Sequence, residues 1–303
     1  MRTTMMMPGS RRRQRCPLLD DGGETELFCA SLVEGLAHLE RTLEVVDGGV
    51  SMRWCADAMR MVKRMQRDML AIFRNADDVS SFSGEIKGSC CWFEHYMQET
   101  AALLDLCNEF KAAASRMHRY CMLVDLLAAS ARSSGSLVAV DGWGTAAPPD
   151  KQLTSVKAAV ERLGRNDAGG GMVVVTLVAK ITMAVVSVLV LQALTSSRRS
   201  HMDDVFDGSP PLNRGGMVVP EELEPWHRLL SLIHGRFPSR ATVAEHEKVS
   251  MAVHGGDRQL MRATSAELRE AVEMFDAVLD QVFDEVIRGR NQMLGILREK
   301  ALT

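Results

Sequence analysis

Hydrophobic positions recur at helical spacing over most of this chain. From Glu26 to Val46, Phe28, Leu32, Leu36, Leu39, Leu43 and Val46 fall three or four residues apart, the interval that stacks side chains on one helical face. Gly48–Gly49 marks the stop, because glycine takes the left-handed conformation that ends helices at little cost. Ser51 stands where a second helix needs an N-cap. Trp54, Ala58, Met61, Met65 and Ile72 then define one face, with arginine and lysine on the face opposite. Asn75 to Gly88 is polar and breaks the pattern.

The third helix carries the most regular repeat. Tyr96, Thr100, Leu103, Cys107, Phe110, Ala114, Met117, Cys121, Val124 and Ala128 alternate at spacings of four and three. A seam sustained over more than four heptads predicts a helix of roughly 50 Å that must lie along partners to bury it. Ser130 to Asp150 is rich in Ser, Gly and Pro and reads as a linker. A short helix from Gln152 to Leu163 follows, then a break from Asn166 to Gly171. After the central run, Ser196 to Pro220 reads as a loop, Glu221 to Ile233 as a helix, and Ala241 to Val253 as another, ended by Gly255–Gly256. The last helix is predicted over Ser265 to Lys300. Its seam is Leu268, Val272, Phe275, Leu279, Val282, Val286, Met293 and Leu297, with a gap near Gly289–Arg290.

Between these amphipathic stretches lies a run of another kind, Met172 to Leu194. Eighteen of its twenty-three residues are apolar and one, Lys180, is charged. As a helix it reaches roughly 34 Å, enough to cross a bilayer core. Its thirteen Val, Leu and Ile residues favour insertion by about 4–8 kcal/mol, and a central lysine opposes it by about 3 kcal/mol. Thr176, Lys180 and Ser187 share one face, a polar stripe that suits either a span packed on a partner or a bundle helix with one partly wet side. A single span would put the third and last helices on opposite sides of the membrane, although both seams need partners. Lys157, Arg162 and Arg165 before the run balance Arg198, Arg199 and Arg214 after it, so charge sets no orientation.

Composition sharpens the fold class. Many Leu, Met, Ala, Glu and Arg with 5% aromatic residues favour helix over sheet. A net charge of −3 produces no global field for nucleic acid. Seven cysteines, at 16, 29, 55, 90, 91, 107 and 121, form no CxxC pair. They read as reduced thiols of a cytosol-facing protein, with Cys107 and Cys121 as small hydrophobes on the seam. Residues 1–23 are basic, with Arg11, Arg12, Arg13 and Arg15 beside Cys16. They read as a disordered tail; S-acylation of Cys16 and a plastid transit role are the alternatives.

Catalytic signatures are missing from the chain. There is no GxxxxGK followed by Ser or Thr, no GxGxxG after a strand, no HExxH and no GxSxG. His227 and His234 lie seven apart without a carboxylate at ligand spacing. Glu245, His246 and Glu247 read as a solvated polar cluster. Cys90–Cys91 before Trp92 suits helix-start packing better than redox or acylation chemistry, and Ser209-Pro210 has the form of a loop phosphorylation site. Arg53, Arg60, Lys63, Arg64 and Arg67 form a basic helix face that is either solvated or suited to phosphates and anionic lipids. No catalytic, cofactor-binding or metal-ligating residue is assigned, and an enzyme would need a deep polar pocket that no sequence feature predicts.

The block Trp92–Phe93–Glu94–His95–Tyr96, followed by Leu103–Leu104–Asp105–Leu106–Cys107–Asn108, resembles the plant BYPASS-type family of helical proteins. So does the final helix, where Phe283–Asp284–Glu285–Val286–Ile287 leads to Arg288, Arg290 and Asn291. The likeness covers about residues 26–300. The Arg- and Met-rich N-terminus and the Val-rich run holding Lys180 depart from the family pattern. The resemblance implies a non-enzymatic plant protein with a hydrophobic segment, linked to development through control of a root-derived mobile signal. For some relatives it implies exocytosis through exocyst partners.

The expectation is therefore an all-α, long-helix bundle with a central hydrophobic helix that is either a membrane span or a bundle core. Its regions are a basic tail (1–23), an N-terminal helical region (24–130), a linker with a short helix (131–171), the hydrophobic helix (172–194), a loop (195–220) and a C-terminal helical region (221–303). The protein is expected to act non-enzymatically through protein partners, exocyst subunits among them, on the cytosolic side of an endomembrane or the plasma membrane. No cofactor, nucleic acid or small-molecule substrate is expected. The alternative is a soluble bundle adaptor for vesicle-trafficking partners.

Overall fold

The structure is a computed structural model of the chain; it describes residues 23–44, 50–75, 92–130, 171–195, 225–226, 228–229 and 243–302. The fold is all-α. Six long helices are described: α1 (Gly23–Glu44), α2 (Met52–Asn75), α3 (Trp92–Ala129), α4 (Gly171–Thr195), α5 (Ala244–Gly255) and α6 (Arg258–Leu302). Among the described residues, the one extended pairing is an isolated parallel bridge between Val50 and Val243. Asn75, the expected start of the polar break, is the last residue of α2; the rest of that break, the linker at 131–150, the helix at 152–163 and the loop at 196–220 lie outside the described residues. Of the helix expected at 221–233, only Pro225–Trp226 and Arg228–Leu229 are described.

The helix ends follow from local chemistry. The Ser51 hydroxyl accepts the Trp54 N–H at 3.1 Å, as the N-cap reading requires. A second acceptor reaches the same end from far along the chain: the Glu245 carboxylate takes the Met52 N–H at 3.1 Å. It satisfies a donor that the helix itself leaves unpaired, and its charge suits the positive end of the helix. Gly256, at φ 70°, ends α5 with its N–H on the Val253 carbonyl. Helix α6 starts seven residues before the expected Ser265. There Asp257 accepts the Gln259 and Leu260 N–H groups at 2.9 and 3.1 Å.

All ten predicted seam positions of α3 are buried, and so are Leu268, Val272, Phe275, Leu279, Val282, Val286 and Met293 of α6. The Leu297 side chain lies outside the described residues. These two seams face each other. Cys121 meets Ser265, Asp125 pairs with Arg269, Phe110 packs edge-on to Phe275 with ring centroids 6.4 Å apart, and Tyr96 lies against Gly289. Residue numbers rise on one helix as they fall on the other, so the pair is antiparallel. Helix α2 packs on both α6 and α4, α3 does the same from the other side, α1 covers α2 and α4, and α5 covers α6. At about 57 and 68 Å, α3 and α6 are the long walls of this bundle.

The gap in the α6 seam is a contact surface. Gly289 takes the missing seam position, and a Cβ there would stand 2.6 Å from the Tyr96 hydroxyl oxygen. Tyr96 is buried and held edge-on by Phe73, centroids 5.6 Å apart. Next to it, Arg290 donates to the Met97 carbonyl at 2.6 Å and to Thr100 Oγ1 at 2.8 Å. Gly289→Ala is therefore expected to destabilise the protein by about 1–3 kcal/mol through overpacking, despite alanine's better helix propensity. An unchanged or raised melting temperature by circular dichroism would refute this reading of the contact.

Candidate anion-binding groove

Two features bear on function: the central helix and a cationic groove on the opposite side of α2. The segment Val174–Leu194 of α4 is long and apolar enough to cross a membrane, with a mean hydropathy of 2.5. Its described side chains are buried apart from Lys180, which is partly so, and 94% of its most apolar stretch lies inside the bundle. Thr176 and Ser187 of the polar stripe are both buried, so this side of the helix is drier than the bundle-helix alternative supposed. Lys180 Nζ lies 2.6 Å from Glu99 Oε1, both side chains nearly enclosed. On another face, Thr182 Oγ1 accepts from Trp226 Nε1 at 2.8 Å and donates to its own helix at Val178. A buried ammonium needs such a carboxylate, because neither charge retains enough water to be stable alone.

The groove runs between α1 and α2 and encloses about 570 Å³. Its α2 wall is Arg60, Lys63, Arg64 and Arg67, at i, i+3, i+4 and i+7, with Asp57 three residues before Arg60; these positions share one face of the helix. The opposite face of α2 carries Met52, Met59, Met65 and Met69 into the core. The α1 wall is Ser31, Glu34, Gly35, His38 and Arg41, and Gln281 of α6 closes one side. Gly35 sets the depth: a Cβ there would stand 2.7 Å from the Met61 sulfur. A glycine lets the two backbones approach closely at this point.

Charge in the groove is unevenly matched. Arg60 pairs with Asp57 at 2.6 Å, and Arg67 reaches the buried Glu285 carboxylate at 3.0 Å, which also holds Arg288. Lys63 donates only to the neutral Gln281 amide, at 2.9 Å, and Arg41 to the Ala37 carbonyl of its own helix. Arg41, Lys63 and Arg64 have no carboxylate within ion-pair distance among the described residues; the half-buried Asp68 attracts Arg64 and Arg67 from farther off. Along α2, Arg60–Lys63, Arg60–Arg64, Lys63–Arg67 and Arg64–Arg67 are like-charge neighbours, each opposing the helix by about 0.2–0.5 kcal/mol. Four of the five basic residues singled out in the sequence line this groove. Arg53 is on the same face, two turns earlier, and does not. Arg41 was missed because nothing in the spacing of α1 announces its approach to α2.

Other sequence candidates have structural roles. Glu245 and His246 are part-buried interface residues: Glu245 caps α2, and the His246 ring lies 4.9 Å from that of Tyr120. This corrects the solvated-cluster reading, which holds for Glu247 alone. His227, His234, Cys16, Cys90, Cys91 and Ser209-Pro210 lie outside the described residues. No grouping of three metal-ligating side chains occurs among the described residues.

Cys29, Cys55, Cys107 and Cys121 are buried thiols outside any disulfide. Burial pushes the Cys107 thiol from 9.0 up to about 12, against a small opposing pull from Lys111. Burial also raises Cys121, and burial together with Glu245 raises Cys55. A thiolate is the reactive species, so these groups are held in their unreactive form. Because the folded pKa lies above the unfolded one, Cys107's contribution to stability is full below about pH 9 and is lost as pH rises toward 12. The expected result is slow labelling of these four thiols by an aromatic disulfide reagent at pH 8, rapid only in denaturant; fast labelling of Cys107 in the folded protein would contradict it.

Tyr96 and Thr100 of α3 contact Gly289 and Arg290 of α6, so these residues serve helix packing. Comparison with family models, with curated proteins and with solved structures returned no match to this chain.

Proposed function

We propose that this protein is a non-catalytic helical-bundle adaptor whose apolar helix is the core of its fold and whose outer faces engage protein partners. The observation that carries this reading is the antiparallel α3–α6 seam. The two helices flank the apolar run in sequence, yet they bury their seams on each other. A single span at 174–194 would put them on opposite sides of a bilayer and expose both seams to water. The Lys180–Glu99 pair supports the same reading, since it ties the run to α3 by a polar contact.

Resemblance to the BYPASS-type family supports a role in plant developmental signalling, through control of a root-derived mobile signal, with exocyst subunits as partners at the cytosolic face of an endomembrane or the plasma membrane. A second reading, an inserted α4, draws support from that helix's length and mean hydropathy of 2.5. The two separate on alkaline carbonate washing of membranes from cells expressing the tagged protein. Release into the supernatant is the expected result. Retention in the pellet would overturn the core reading and leave a two-sided protein whose terminal helices seek different partners.

A further inference from the structure

We infer that the groove between α1 and α2 binds a compact polyphosphorylated anion of the inositol-phosphate class, either free or as a lipid headgroup. Arg41 from one helix and Lys63 and Arg64 from the other converge on one concavity, and none is within ion-pair distance of a carboxylate among the described residues, although Asp68, one turn along α2, attracts Arg64 from farther off. Packing does not require them, since α2 buries the opposite face. Two guanidinium forks and an ammonium suit phosphate oxygens, which accept paired donors and carry up to two charges per group. A volume of about 570 Å³ suits a small ligand. The lining holds no Phe, Tyr or Trp ring for stacking bases. The charges are gathered within two turns of α2, so clustered phosphates match them better than carboxylates strung along an extended acidic peptide.

The test uses the full chain at about 150 mM salt, where diffuse surface attraction is screened. Calorimetric titration with myo-inositol hexakisphosphate is one arm. Flotation with vesicles containing phosphatidylinositol 4,5-bisphosphate, against phosphatidylserine vesicles of equal charge, is the other. Micromolar binding is expected in at least one arm, and the combined Arg41→Glu and Arg64→Glu change should weaken it about tenfold or more. Arg53→Glu, on the same helix face beyond the groove, should change it less than about twofold. Both altered positions on α2 are exposed, and unchanged helicity and melting show that the variants fold; Arg64→Gln alone gives a partial loss that does not depend on charge reversal. Binding in the soluble arm identifies a free inositol phosphate, and binding to phosphoinositide vesicles alone identifies the headgroup. No binding in either arm, an equal loss from Arg53→Glu, equal binding to phosphatidylserine vesicles, or tighter binding of a poly-glutamate peptide would overturn the proposal.

Discussion

Phe110→Asp is expected to abolish the cooperative fold. Phe110 is fully buried at the middle of the α3–α6 seam, edge-on to Phe275. Truncating a buried phenylalanine costs about 3–5 kcal/mol, and the aromatic pair adds about 1 kcal/mol. A carboxylate at this point would stand in the buried apolar seam, so it must be desolvated or protonated at a further cost of several kcal/mol. Together these terms reach the about 5–15 kcal/mol that holds a typical domain folded. Loss of soluble protein, or of a sigmoidal circular-dichroism melt, is the predicted observation, whereas Phe110→Leu should keep a cooperative transition. A soluble aspartate variant with unchanged helicity and melting would refute the seam.

The second large effect concerns the pair at the centre of the molecule. Lys180→Leu makes α4 more apolar, yet it is expected to destabilise the protein by about 3 kcal/mol, because it leaves the nearly enclosed Glu99 without its cation. At this chain length that corresponds to a fall in melting temperature of about 5–10 °C. Adding Glu99→Leu should restore most of the loss, since a well-packed apolar pair often equals or exceeds a buried ion pair. An inserted helix predicts the opposite sign, because removing a central lysine favours a span by about 3 kcal/mol. The double-mutant cycle therefore tests the ion pair and the location of α4 together. A Lys180→Leu protein that melts higher and resists carbonate would overturn both.

The cationic groove links this core to the surface. Gly35 brings α1 close to α2, and the methionine face of α2 that packs inward leaves its basic face directed into the cleft. The fold thus gathers charge that α2 by itself would repel.

Local periodicity made the seams legible. Every predicted α3 position is buried, and so is each described position of the α6 seam, because burial of one helical face imposes a 3.6-residue period that needs no knowledge of the partner. The Ser51 cap and the Gly255–Gly256 stop were legible for the same reason: each acts on backbone groups a few residues away. The early start of α6 was not. Arg258 to Leu260 are exposed and carry no apolar pattern, and the Asp257 cap marks the start instead. Gly289 was invisible as a seam member because it has no side chain for hydropathy to register. Its role appears only when Tyr96, far away in sequence, fills the space.

The sequence by itself determined the helical class, the faces that are buried, the lack of a catalytic motif and the presence of one helix apolar enough to enter a membrane. These follow from residue type and short-range spacing. Tertiary structure alone decided that α3 and α6 bury their seams on each other, that Glu99 neutralises Lys180 across 81 residues of chain, and that Arg41 joins the basic face of α2 in one groove. A charge or a cavity acts through distance in space, and distance between remote segments is set only when the helices pack.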